Sequence, residues 1–341
     1  MRVLVLGGYG NFGARICRAL AGHPGIELVV GGRDAARGEA FARSLGTATA
    51  APMDHQTPDF SERLRQIGAG LVIHTAGPFQ QQDYAVPLAV AKAGAHYVDL
   101  ADGRRFVCDF PAALDTAFRA AERTAITGAS TVPALSSAVV QALTPGWQRL
   151  DSIAICIAPA QTAPRGVATL RAVLSYCGEP IKVWKGGQWT SQPGWATPQR
   201  VRFARLSDRR AALCDIPDLE LFPAHFAGVQ HVDFRAALEV GMAQTGFAAL
   251  AALRRARLIP SPVAWAAVLN AAAKLLDPLG SALGGMYVRV KGVDGDGRPA
   301  QRSWHIAADN DHGPELRSVQ PGLRLFRKRY QQPHETDRRG S

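Results

Sequence analysis

The chain has 341 residues, 47% hydrophobic and 20% charged, with a net charge of +11. That length gives two domains, each with ample surface to bury. Five scattered cysteines (Cys17, Cys108, Cys156, Cys177, Cys214) form no C-x-x-C pair, which argues against a disulfide framework or a zinc site. Residues 1–150 carry 14 basic and 12 acidic side chains, residues 151–316 carry 18 and 14, and the last 25 carry seven and two. The excess therefore concentrates in a short tail. No basic stripe interleaved with aromatics accompanies it, so no nucleic-acid partner is expected. The longest uncharged stretch, Thr124 to Gln148, is broken by Gly128, Ser130, Thr131, Pro133 and Ser136, so no membrane insertion is expected. Strand pattern from residue 3 leaves no room for a leader, and the expected location is cytoplasmic.

The elements follow in chain order. Val3 to Leu6 read as a strand buried on both faces of a parallel sheet. Gly8-Tyr9-Gly10-Asn11-Phe12-Gly13 comes next, and Ala14 to Leu20 read as a helix. Strand, G-x-G-x-x-G and helix together make a dinucleotide-binding fingerprint. In it Gly8 permits the tight turn, Gly10 lets the backbone approach a pyrophosphate, and Gly13 packs helix on strand. The N-terminus of the helix offers N–H groups and a positive dipole end to the phosphates. Glu27 to Gly31 make a second strand, Ala35 to Leu45 a helix, Thr47 to Pro52 a third strand and Leu71 to His74 a fourth. A helix over Tyr84 to Ala93 leads to a strand over His96 to Leu100, and a helix over about Phe110 to Arg123 leads to Thr124 to Thr127. This alternation is a Rossmann-type, doubly wound parallel α/β sheet, a dinucleotide-binding domain over residues 1–150.

Residues 151–316 change character. Strand patterns at Ser152 to Ala158, Ile181 to Trp184, Val201 to Ala204, His231 to Ala237, Tyr287 to Val293 and Gln301 to Ala307 are separated by Pro- and Gly-rich links. Helical stretches at Gly166 to Ser175, Ala243 to Arg255 and Val263 to Leu276 intervene. The expectation is an α+β second domain serving substrate binding and dimerisation. Residues 317–330 read as a helix returning to the first domain, and 331–341 as a disordered basic tail.

The cofactor depends on the end of the second strand, Gly31-Gly32-Arg33-Asp34. Arg33 can pair with the extra phosphate of NADP or stack on adenine, while Asp34 could hold the ribose of NAD or cap the following helix. NADP is favoured and NAD is the alternative. Asp54, ending the third strand, is a candidate acceptor for the adenine amino group or a turn carboxylate.

The start GGYGNFG, the segment Val72 to Gly103 and the stretch Ile126 to Ser137 resemble the saccharopine dehydrogenase-like oxidoreductases. The likeness covers about the first 140 residues. It implies an N-terminal NAD(P)-binding domain, a second domain shaping the substrate pocket, and often a homodimer. It also implies that Ala76-Gly77-Pro78-Phe79 approaches the nicotinamide end, where Phe79 either walls the ring or belongs to the core.

Asp99 and Asp102 fall at the carboxyl end of the fifth strand, the edge at which such sheets bind ligands, and either could accept a proton or orient an amine. Ser130 and Thr131 fall at the same edge, where a hydroxyl could bind substrate or cap the next helix. These catalytic candidates are Asp99, Asp102 and Ser130. His74, ending a buried strand, reads as a core residue, and the other histidines lack metal-ligand spacing. No Gly-x-Ser-x-Gly elbow, P-loop lysine or Tyr-x-x-x-Lys pair offers rival chemistry. The reading is hydride transfer between nicotinamide and a small-molecule substrate, either an imine or amino-acid derivative or an enoyl or keto compound. A non-catalytic NADP-binding sensor is the alternative. Arg254-Arg255, Arg257 and the basic tail leave a third reading, association with a nucleic acid or a membrane surface.

Overall fold

The computed structural model describes residues 1–163 and 166–308. The expected returning helix over 317–330 and tail over 331–341 lie outside the described residues.

The first sheet is built by β1 (Arg2–Leu6), α1 (Asn11–Leu20), β2 (Glu27–Gly32), α2 (Ala35–Leu45), β3 (Thr49–Pro52), α3 (Phe60–Ile67), β4 (Leu71–His74), α4 (Ala85–Ala93), β5 (His96–Asp99), α5 (Arg104–Ala120) and β6 (Ala125–Ile126). Its six strands run parallel in the order β3-β2-β1-β4-β5-β6. The aliphatic run of β1 explains its central place. Leu4 and Leu6 pack on one face with Met53, Val72 and Phe79, while Val5 packs on the other with Cys17, Leu28 and Val30. Each such burial contributes about 1.5–3 kcal/mol. Strand order reverses between β1 and β4, and a ligand crevice opens outside the carboxyl ends of strands at such a point.

Two local expectations are corrected. The helix read from Phe110 starts at Arg104 and runs through Pro111. Proline looks like a first helical residue, but Phe106, Phe110, Leu114 and Phe118 bury one stripe at four-residue spacing, and that stripe outweighs the proline. α3, unassigned from sequence, buries Phe60, Ser61 and Leu64 on the sheet.

The second part comprises α6 (Ser136–Leu143), β7 (Arg149–Ala158), α7 (Val167–Ser175), β8 (Pro180–Lys185), β9 (Gln188–Pro193), β10 (Gln199–Val201), β11 (Arg209–Leu213), α8 (Asp218–His225), β12 (His231–Leu238), α9 (Gly241–Arg255), α10 (Ala266–Lys274), β13 (Gly284–Val293) and β14 (Pro299–Ala308). β12 lies parallel to β7 and the remaining pairs are antiparallel, so this is a mixed sheet ordered β10-β11-β12-β7-β13-β14, with β8 and β9 branching from β12. β9, β11 and α8 have no counterpart in the sequence reading. Pro193, the Arg209-Arg210 pair and Pro223 hid them, because each breaks the local pattern of its element.

A buried guanidinium ties the two sheets together. Arg104 on α5 donates through Nε to Glu220 at 3.0 Å, and through Nη1 to Asp215 at 3.1 Å and to the Lys182 carbonyl at 2.8 Å. Ser136 on α6 likewise donates to the buried carboxylate of Asp218 on α8. Ala168, Thr169 and Ala172 of α7 face the carboxyl edge of the first sheet across a cavity.

Candidate cofactor and active site

The glycine loop turns at Gly7, which takes φ +81°, the left-handed region glycine favours. That corrects the role expected of Gly8. Gly8 donates its N–H to Gly31 at 2.9 Å, and a Cβ there would meet the Val5 carbonyl at 2.8 Å and Val30 at 3.0 Å. Gly8 is small so that the loop packs on β2, and it faces away from the crevice. The operative spacing is therefore Gly7-x-x-Gly10-x-x-Gly13. Gly13 performs the packing expected of it: a Cβ would lie 2.2 Å from the Gly7 carbonyl. Gly10 instead faces open space, meeting only the Gly7 carbonyl at 3.0 Å.

Gly10 is also the N-cap of α1, with no side-chain cap and no acidic residue in the first turn. The positive end of the helix dipole is thus left to an anion. Thr75 braces the loop from β4 by donating to the Leu6 carbonyl at 2.9 Å.

A crevice of about 1120 Å³ runs from Gly10 past Tyr9, Gly32 and Arg33. The Tyr9 ring occupies the space a Cβ on Gly32 would need, and its hydroxyl accepts from the Asp34 N–H at 2.8 Å. Asp34 accepts from the Arg37 N–H at 3.0 Å, so its side chain acts as the cap of α2. Arg33 is exposed on the crevice wall and, among the described residues, makes no ion pair or hydrogen bond. Lys92 and Arg171 line the same crevice, against the one carboxylate of Asp83. This wall suits a polyphosphate. Asp54 does not face it: its carboxylate accepts from the Gln56 N–H at 3.0 Å inside a turn, and His55 and Gln56 line the crevice instead. Burial pushes the His55 imidazole down.

A smaller cavity of about 300 Å³ continues beyond Gly10 towards α7 and shares Gly7, Ala76 and Gly77 with the crevice. Asn11, Phe12, Pro78, Phe79, Asp102 and Ser130 line it. Phe79 belongs to both alternatives, since it borders the cavity while its ring packs against His74 and Phe106 in the core. Gln82 holds the Ala76–Phe79 loop by donating to the Ala76 carbonyl at 2.8 Å and the Pro78 carbonyl at 3.0 Å.

Asp102 accepts from Gln80 Nε2 at 3.1 Å, and burial pushes its carboxyl up despite that bond. Ser130 makes no capping hydrogen bond with its side chain. Asp99 is placed differently. It is fully buried, borders neither space, and its Oδ1 accepts from the N–H groups of Ala101 (2.9 Å) and Gly128 (2.8 Å) and from Thr127 Oγ1 (3.0 Å). Its geometry joins β5 to the chain after β6, correcting the expectation that it meets substrate. His74 is equally buried, 2.9 Å from the Tyr97 hydroxyl, and its imidazole is pushed down to about 3, so it stays neutral.

Sequence reasoning missed Thr75, His55, Gln80, Gln82 and Arg171. The Gln80-Gln81-Gln82 run directly after the Phe79 loop was a legible signal; Arg171, over 130 residues beyond Arg33, had none.

The sequence of residues 3–144 matches the family model described as "Saccharopine dehydrogenase NADP binding domain". The first domain is thus similar to the saccharopine dehydrogenase NADP-binding domains. The model describes an NADP-binding domain, and the unpaired guanidinium of Arg33 at the end of β2 fits that cofactor. No curated protein matches the chain. Among solved structures, apo saccharopine dehydrogenase (L-Glu forming) from Saccharomyces cerevisiae aligns over 90% of this chain and 85% of its own, at 13% identity and a TM-score of 0.62. At that identity the likeness is one of fold, and it extends across both sheets. An engineered D-amino acid dehydrogenase bound to NADP+ aligns over 92% and 84%, at 15% identity and a TM-score of 0.45. A mutant meso-dapdh from Clostridium tetani E88 aligns over 91% and 84%, at 13% identity and the same TM-score. Among the described residues no group of three His, Cys, Asp or Glu could hold a metal ion, and no helix is long and apolar enough to cross a membrane.

Proposed function

We propose that this chain is an NADP(H)-dependent oxidoreductase whose cofactor lies along the crevice with its phosphates at Gly10 and the N-terminus of α1. Arg33 takes the ribose phosphate, and the nicotinamide end reaches the cavity beneath α7. When bound, NADP(H) supplies or takes the hydride. The protein's own groups orient and move a proton. Asp102 is the one titratable side chain among the described residues lining the small cavity, and Gln80 aims its carboxyl. Its raised pKa keeps the proton available to a substrate atom next to the carbon that exchanges hydride. Ser130 offers a hydroxyl to a substrate oxygen. Phe12 and Phe79 exclude water.

The observation that carries the substrate reading is the absence of Lys, Arg or His among the described residues lining that cavity. An amino-acid carboxylate would be left unpaired there, whereas an enoyl or keto compound would not. Arg171 supports the amino-acid or imine reading instead, because it stands free at the edge of the larger crevice, within reach of a substrate that extends out of the cavity. Turnover decides between them and against a non-catalytic NADP-binding module: NADPH oxidation is followed with enoyl, keto and amino-acid-derived imine compounds, on wild type and Arg171→Ala. Activity on neutral enoyl or keto compounds that survives Arg171→Ala supports the leading reading. Activity confined to carboxylated imines and lost in the variant favours the other. No turnover with any class, despite cofactor binding, favours the binding module. The homodimer expected from the family resemblance is tested by light scattering.

A further inference from the structure

The ends of β2 and β3 deliver two nitrogen-bearing side chains to the same crevice. Gly32 lies in register with Pro52, and the Gly32 carbonyl accepts from the Met53 N–H at 2.9 Å, so Arg33 and the segment after Pro52 emerge side by side. There the chain turns. Asp54 accepts from the Gln56 N–H at 3.0 Å, and its carbonyl accepts from Thr57 Oγ1 at 2.9 Å. That turn takes the Asp54 carboxylate out of the crevice and leaves His55 on its wall, half-buried and, among the described residues, without a hydrogen bond or ion pair.

A phosphate monoester carries about −1.5 to −2 charges at pH 7, more than the single guanidinium of Arg33 neutralises. The other cations nearby are placed elsewhere. Lys92 lies in the last turn of α4 and Arg171 on α7, while Arg37 sits over the Tyr9 ring at 5.1 Å. Arg63 of α3 is taken up by the Pro52 carbonyl at 2.6 Å. Facing His55 are Arg33 from β2, Asp54 beside it in the turn, and buried His74 of β4, with ring centroids 5.9 Å apart; Asp83 and Lys92 line the α4 wall. Burial lowers the His55 imidazole from its ordinary 6.5; Asp54 opposes this and Arg33 adds to it, so the ring is neutral at pH 7 in the free protein. An anion bound against Arg33 offsets that cation and favours imidazolium.

We propose that His55 is a second phosphate-binding side chain beside Arg33, taking a proton from solvent as the ribose phosphate of NADP(H) binds. The proposal rests on the placement of that phosphate at Arg33. It makes His55 a determinant of NADP over NAD, and it gives NADPH affinity a pH dependence of known sign. Affinity rises as pH falls from 8 to 6, because the bound ring holds a proton that the free ring has lost. The phosphate's own ionisation near pH 6 acts oppositely, since protonating it weakens its pairing with Arg33.

Titrations with NADPH and NADH at pH 6 and 8, read by nicotinamide fluorescence, test this together with calorimetry in buffers of different ionisation enthalpy. The expected result for wild type is NADPH binding about tenfold tighter at pH 6, with proton uptake, and NADH binding that is the same at both. His55→Gln should bind NADPH at pH 6 as weakly as wild type does at pH 8, without uptake. His55→Lys should restore tight binding at both pH values, which a merely structural role would not allow. An NADPH affinity indifferent to pH, a trend that survives His55→Gln, or equal losses of NADPH and NADH in that variant overturns the proposal, the last in favour of stacking on adenine. If Arg33→Ala weakens NADPH selectively in the same assay, such a result removes the role of His55 alone. Wild type that binds neither nucleotide overturns both.

Discussion

The glycine loop assigns different physical work to Gly10 and Gly13, and an alanine at each separates the two. At Gly13 the new methyl would lie 2.2 Å from the Gly7 carbonyl and 2.8 Å from Thr75 Oγ1. Neither can yield cheaply: one is backbone, and the other is anchored by its hydrogen bond to the Leu6 carbonyl. Alanine gains about 1 kcal/mol of helix propensity over glycine. Relieving the overlap costs about 3 kcal/mol, the upper end of overpacking, because backbone must move. The net loss of about 2 kcal/mol corresponds to roughly 4–8 °C in Tm. At Gly10 the backbone is extended (φ −78°, ψ 177°), ordinary for alanine, and the methyl meets only the Gly7 carbonyl at 3.0 Å. Its stability cost is that of a poorer N-cap, about 0.5–1 kcal/mol. The methyl does, however, project where crevice and cavity meet, and NADPH affinity should fall at least about tenfold, or 1.4 kcal/mol. Differential scanning fluorimetry and nicotinamide fluorescence read the two effects. A Gly13→Ala variant that melts like wild type, or a Gly10→Ala variant that binds NADPH like wild type, refutes the reasoning.

Asp99→Ala should cost about 3 kcal/mol by stranding the buried N–H groups of Ala101 and Gly128, at about 1–3 kcal/mol each; a variant with unchanged Tm and lost kcat would instead place Asp99 in the chemistry. Asp102→Asn should lower kcat while leaving the NADPH Kd within about twofold. In the reduction direction the wild-type rate falls as pH rises through the raised Asp102 pKa, and the pH–rate profile of the Asn variant lacks that limb. Burial lifts the Asp218 carboxyl to about 7, so the folded protein holds a proton there that the unfolded chain releases near the ordinary value of 3.8. Its contribution to stability is complete below the unfolded pKa and is lost as pH rises to about 7, by at most about 4 kcal/mol. Asp218→Asn should therefore gain in Tm relative to wild type between pH 5 and 7, and a difference independent of pH contradicts this.

The first sheet was legible because each strand is a short aliphatic run closed by glycine or a polar residue, with an amphipathic helix after it. Sequence also located the glycine loop, Arg33 and the Ala76–Phe79 loop, whose positions follow from chain order at the carboxyl edge. It assigned the turn to Gly8 because the fingerprint spacing fits Gly8-x-Gly10 as well as Gly7-x-x-Gly10, and only the φ of Gly7 and the packing of Gly8 on Val30 separate the two. Asp99 and Asp102 look equivalent in sequence. Whether each carboxylate turns inward to backbone N–H groups or outward to Gln80 depends on β6 and the Phe79 loop, which are remote in the chain. Arg171 was hidden for a similar reason: residue type gave its chemistry, and tertiary placement decides what it meets.

The most direct test of the account is a titration of wild type and Arg33→Ala with NADPH and NADH, followed by nicotinamide fluorescence. Removing the charge-assisted bonds of Arg33 should weaken NADPH by about 1.5–3 kcal/mol, roughly ten- to a hundredfold, and leave NADH unchanged. Equal loss for both nucleotides, or no binding of either by wild type, would contradict it.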